Sequence, residues 1–145
     1  MSDIFTELED KDRLAKAAAH RLAFVSTEIK NMALHNISHD LIKRSAEILA
    51  GNSLDYKEAQ AAGMNAAMLD RLMLNEARID GMANDILAVA GLQDPVGEMI
   101  DTRTLPNGLT IGKKRVPLGV IGAIYESRPN VTIDISVLCL KSGNA

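Results

Sequence analysis

The densest run of side chains able to do chemistry is Tyr125-Glu126-Ser127-Arg128-Pro129-Asn130, with an acid, a base, a hydroxyl and an amide within six residues. It sits between two apolar stretches, Val120-Ile121-Gly122-Ala123-Ile124 and Val131 to Leu140. A short apolar run without alternation fits a strand buried on both faces, as in a parallel sheet. The longer run, which carries Ile133, Ile135, Val137, Leu138 and Leu140, reads as a buried helix stopped by Ser142-Gly143-Asn144. In open α/β sheets, ligands bind beyond the carboxyl ends of strands, where helix N-termini offer free N–H groups. The polar loop would lie there; the plainer alternative is a connector between two buried elements.

Other groups carry weaker signals. Gly119-Val120-Ile121-Gly122 lacks the third glycine of a dinucleotide fingerprint, and close backbone approach explains it better. Cys139 lies in mid-helix between Leu138 and Leu140, in apolar surroundings that oppose a thiolate. His35 and His39, four apart, could face one way from a helix, but no third ligand accompanies them, so a solvated face is expected and no metal. Lys113-Lys114-Arg115 is basic but has no interleaved aromatics, which argues against nucleic-acid binding; lysine on a strand more often protects an edge.

The elements that must position these groups follow from periodicity. Residues 1–93 read as amphipathic helices: Leu14, Ala18, Leu22 and Val25 form one stripe. After Ser26 as N-cap, Ile29, Ala33, Ile37 and Leu41 form a second, with Ile48 further on and Gly51 as its end. A short helix is expected over 54–62 before Gly63, another around Met68, Leu69, Leu72 and Met73, and a last one capped by Asn75 with Ile79, Met82, Ile86 and Val89 inward. Texture changes at Asp94-Pro95. Lys and Arg number ten against fourteen Asp and Glu before that point, and six against five from it onward. Residues 94–117 read as a hairpin, with Ile100, Thr102 and Thr104 alternating with polar neighbours, Pro106-Asn107-Gly108 as the turn and Leu109 and Ile111 returning.

The whole chain has 145 residues, 47% hydrophobic and 24% charged, with a net charge of −3, which excludes a disordered chain and a nucleic-acid coat. One cysteine excludes an internal disulfide framework and fits a reducing, cytoplasmic setting. Met1-Ser2-Asp3-Ile4-Phe5 shows no leader pattern, and no run of ~18 apolar residues suggests a membrane span. A buried strand and helix without a parallel mate would expose much apolar surface, so the sequence reads as the front piece of a longer α/β protein.

Three stretches carry a family resemblance: Arg115-Val116-Pro117-Leu118-Gly119-Val120-Ile121-Gly122; Ile124-Tyr125-Glu126-Ser127-Arg128-Pro129-Asn130-Val131-Thr132; and Leu138-Cys139-Leu140-Lys141-Ser142-Gly143-Asn144-Ala145. With Ala67-Met68-Leu69-Asp70-Arg71-Leu72 and Asp94-Pro95-Val96-Gly97, they make the chain resemble the N-terminal portion of gamma-glutamyl phosphate reductase, of the aldehyde dehydrogenase superfamily. The resemblance implies an α/β fold: a helical lead over 1–93, a hairpin over 94–117 serving subunit assembly, and over 118–145 the first β-α of a Rossmann-like NADP-binding core. It implies reduction of L-glutamate 5-phosphate by NADPH to L-glutamate 5-semialdehyde and phosphate, in proline biosynthesis, through a cysteine nucleophile beyond residue 145. The piece alone should then be inactive. A homo-oligomer and glutamate 5-kinase are the implied partners, with no nucleic acid or membrane.

By the same resemblance Asn130 donates an amide N–H to the developing oxyanion. Arg128 meets the substrate's phosphate or carboxylate, and Tyr125, Glu126 and Ser127 line the cofactor. The rival reading is a non-catalytic helical interaction module, with the 119–141 segment as its recognition surface.

Overall fold

A computed structural model describes residues 2–145, with side chains from Thr6 onward. The side chains of the Met1–Phe5 stretch, examined above for a leader, lie outside the described residues. Among the described residues, five helices precede a hairpin and a sixth helix follows it: α1 (Ser2–Leu22), α2 (Thr27–Lys43), α3 (Ser45–Ala61), α4 (Ala66–Leu72), α5 (Glu76–Gly91), β1 (Met99–Thr104), β2 (Thr110–Lys114) and α6 (Pro129–Lys141). No helix of the described residues is long and apolar enough to cross a membrane.

The core forms where α2, α5 and α6 meet. Leu34 and Leu41 from α2, Ile79, Met82, Ala83, Ile86 and Ala90 from α5, and Val137 from α6 are buried together. These positions recur at three- and four-residue steps, so each helix turns one stripe inward. Ser38 adds a polar link across it by donating to the Ala83 carbonyl at 3.0 Å.

Caps set the helix starts. The Ser26 hydroxyl accepts from the Ile29 N–H, and Asn75 accepts from the Arg78 N–H, both as the sequence suggests; Asn65 does the same for Met68 at the start of α4. Gly51 is a correction. It ends no helix: α2 stops at Lys43, α3 restarts at Ser45, and Gly51 lies inside α3. The next residue supplies the reason. Asn52 is buried, donating to the Leu72 carbonyl at 2.8 Å and accepting from the Leu74 N–H at 2.7 Å. That tertiary anchor outweighs the cost of an internal glycine, about 1 kcal/mol. Leu14 is also misplaced by periodicity, at 60% exposed: α1 runs past the core and buries Ala19 near its end instead.

The hairpin is antiparallel, with Met99 opposite Lys114 and Thr104 opposite Thr110. A bulge between Ile100 and Arg103, with Asp101 at φ 54°, breaks the expected alternation. Lys113 pairs with Asp101, and Arg115 with Glu98, so two of the three basic residues face acids within the hairpin.

The segment 120–124 corrects a second expectation: it forms no strand. Val120 and Ile121 are partly exposed and Ile124 is fully exposed. A strand requires a ladder partner, and among the described residues only one rung is present: the Ala145 N–H donates to the Gly119 carbonyl at 2.9 Å, and the Ile121 N–H donates to the Ala145 carbonyl at 2.8 Å. Two bonds from one residue to positions two apart are the pattern of a parallel ladder. Asn144, buried, fixes the same approach by accepting from the Gly119 N–H at 2.8 Å. Gly143 makes room for it. Its φ of 74° and a Pro117 Cγ only 3.0 Å from where a Cβ would stand leave no place for a side chain.

Two lysines are enclosed in this assembly. Lys30 of α2 is 0% exposed and meets Asp94 at 2.8 and 3.1 Å. Asp94 also accepts from the Thr27 hydroxyl at 2.8 Å and the Val96 N–H at 2.9 Å. Lys141, at the end of α6, is 3% exposed and donates to the Asn31 side-chain oxygen at 2.6 Å and the Ala90 carbonyl at 2.8 Å. Lys30 reaches the Lys141 carbonyl as well, at 3.4 Å. Surface pairs such as Lys16–Asp12 and Arg44–Glu47 contribute little beside this.

Burial pushes the Asp94 carboxyl up, but hydrogen bonds from Lys30, the Val96 N–H and Thr27 outweigh it and hold the group below its ordinary value of 3.8. A depressed carboxyl stabilises the fold fully above its unfolded value and loses that contribution as pH falls through the folded one. Asp94→Asn should therefore cost about 3–5 kcal/mol in urea unfolding near neutral pH, since it strands a buried ammonium. The gap from the unsubstituted chain should narrow as pH drops below about 4.

Candidate active site

The first turn of α6 carries the two residues of greatest interest. Arg128 is the N-cap position, with φ −137° and no side-chain cap hydrogen bond, and Pro129 occupies the first helical position, where its missing N–H costs nothing. Asn130 is therefore helical rather than in the loop. Its amide donates to the Asp134 carboxylate one turn on, at 3.2 Å. A second hydrogen on the same nitrogen is left for a further acceptor.

Because α6 packs against α5, this turn faces the α4–α5 corner. A cleft of about 370 Å³ opens between them, and Arg128 and Asn130 line it together with Asp70, Arg71, Arg78 and Asp85. Arg78 is the strut of that corner. Its guanidinium donates to the Asp70 and Met73 carbonyls and to the Asp70 carboxylate, closing the carbonyl end of α4 with a positive charge. Arg71, Asp85 and Arg128 are not among the ion pairs of the described residues.

Tyr125, Glu126 and Ser127 do not line this cleft. They lie on the exposed approach to it, with Tyr125 folded back so that its hydroxyl shares a hydrogen bond with Thr132 of α6 at 2.5 Å. Ser127 holds the turn at φ 51°, a left-handed conformation unusual for a residue with a side chain. His35 and His39 are exposed on α2, and among the described residues no group of three or more His, Cys, Asp or Glu could hold a metal.

Sequence reasoning missed the α4–α5 wall. Asp70 and Arg71 lie inside a stretch already singled out for resemblance, yet nothing in their spacing says that α6 will come to rest opposite them. Only the packing of Val137 and Lys141 places it there.

No protein-family model matches the chain. A gamma-glutamyl phosphate reductase of Dehalococcoides mccartyi is 58% identical over all 145 residues, which are 34% of that relative. One of Chloroflexus aggregans is 57% identical over 139 residues, 33% of its length. Among solved structures, a gamma-glutamyl phosphate reductase of Thermotoga maritima superposes with a TM-score of 0.93 and 45% identity, covering 96% of this chain and 34% of the other. That of Saccharomyces cerevisiae gives 0.83 and 35%, over 90% of this chain and 33% of its own. The chain thus spans about a third of the length of the relatives it matches.

Burial raises the Cys139 thiol above its ordinary value. The thiolate is the reactive form. Iodoacetamide at pH 7.5 (a pH of about one unit below an ordinary thiol's value) should therefore alkylate Cys139 more slowly than free cysteine, as read by intact mass against time.

Proposed function

We propose that this chain, which matches the N-terminal third of the gamma-glutamyl phosphate reductases along its whole length, serves in the reduction of L-glutamate 5-phosphate by NADPH to L-glutamate 5-semialdehyde and phosphate, a step of proline biosynthesis. The observation that carries the reading is the near-superposition of the fold together with 58% identity over every residue. A helical interaction module is not favoured by either.

In this reading NADPH supplies the hydride, and Tyr125, Glu126 and Ser127 lie beside it. The residues present fit an anionic partner of this kind: the N-cap position of α6 makes no side-chain cap hydrogen bond, and Arg128 is not among the ion pairs of the described residues. Arg128 would hold the substrate by an anionic oxygen, its planar fork matching phosphate or carboxylate. Asn130, fixed by Asp134, would donate to the oxygen that gains charge when the acyl group is attacked. Cys139 takes no part, being half-buried in α6 with a raised thiol. Segment 120–124 would be the first strand of the cofactor domain, continuing the parallel rung begun at Ala145. The hairpin, which presents a two-stranded sheet with mostly exposed faces, would meet another subunit.

The test is kinetic, in a full-length reductase carrying this segment. Asn130→Ala should lower kcat by about 10²- to 10³-fold, and Arg128→Ala should mainly raise KM for the acyl phosphate. Unchanged kcat in the first variant would remove Asn130 from the oxyanion role.

A further inference from the structure

The cleft beside α6 holds charges that the reading above leaves unused. Arg78 is consumed by the backbone and by Asp70, whose charge it cancels. What remains is one cation on α4, Arg71, one anion on α5, Asp85, and Arg128 at the mouth. A wall with one fork-shaped cation and one carboxylate is complementary to a zwitterion rather than to a simple anion.

We infer that this cleft is the subsite for the α-amino-acid head of the substrate, with Asp85 receiving the α-ammonium and Arg71 the α-carboxylate. The inference rests on the proposed reaction and deepens it. It leaves Arg128 and Asn130 to the phosphorylated end, which resolves the choice open to Arg128: it meets the phosphate. α4 and α5 are locked to each other through Arg78, and α5 to α6 through Lys141, so the two charges stand on fixed elements. The volume, about 370 Å³, is in the range of small-molecule sites.

The reaction run backward separates the two ends of the substrate. L-Glutamate 5-semialdehyde, inorganic phosphate and NADP+ give the acyl phosphate, NADPH and a proton, and each reactant has its own KM. In a full-length reductase carrying this segment, Arg71→Ala and Asp85→Asn should each raise KM for the semialdehyde by about ten- to a hundredfold, the range for losing a charge-assisted hydrogen bond. KM for phosphate and NADP+ should stay put. Asp85→Asn should also shrink the preference for the semialdehyde over 5-oxopentanoate, which keeps the carboxylate but lacks the amino group. Active variants with unchanged constants and unchanged preference overturn the subsite, as does a rise confined to KM for phosphate. An unsubstituted enzyme with no turnover of these reactants instead overturns the reaction itself, and the subsite with it.

Discussion

An ammonium group enclosed by protein must be given back every contact that water offered, or the element bearing it will not stay folded in. Lys30 meets that demand through Asp94, and Asp94 meets its own through Thr27, Val96 and Lys30 together. The pair therefore does more than join two charges. It fastens the chain leaving α5 to the first turn of α2, at the point where the helical lead gives way to the hairpin. Lys141 is the more demanding case, because its partners are neutral: the Asn31 amide oxygen and the carbonyl of Ala90 in the last turn of α5, where the helix dipole is negative.

These contacts divide α6 into a held end and an end that borders a cleft. At the held end Lys141, Asn144 and Gly143 bind it to α2, to α5 and to the strand-like approach at Gly119. At the other end Arg128 and Asn130 stand at the rim of a cleft whose far wall is the α4–α5 corner. Burial of Val137 and the half-burial of Ile133 and Leu140 fix the helix along its length. Polar clamping holds one end and apolar packing the middle, while at the start of the helix Asn130 is bonded to Asp134, Thr132 to Tyr125, and Arg128 makes no cap hydrogen bond.

Much of this could be read from residue order. The helices, the Ser26 and Asn75 caps and the Asn107-Gly108 turn are local, and their signals are short-range. The polar loop Tyr125–Asn130 was visible for the same reason. What stayed hidden depends on meetings far apart in sequence. Gly51 looked like a stop because the Asn52 bonds to Leu72 and Leu74 cannot be seen locally. Nothing in the sequence marks Lys30 and Lys141 for burial, since that depends on acceptors 64 and 51 residues away. The apolar run at 120–124 promised a strand, but strands are made by their neighbours, and among the described residues only Ala145 bonds alongside it.

The claim on which the site depends is that Lys141 anchors α6 so that its first turn stays opposite α5. Native-state hydrogen exchange along α6, compared between the unsubstituted chain and Lys141→Met, asks this directly, because methionine keeps the length of the side chain but not its donors. Amides of Ile133 to Leu140 should lose protection by about tenfold or more, while those of Leu34 and Ile86 in the remaining core change far less. Equal protection of α6 in both proteins would contradict the account.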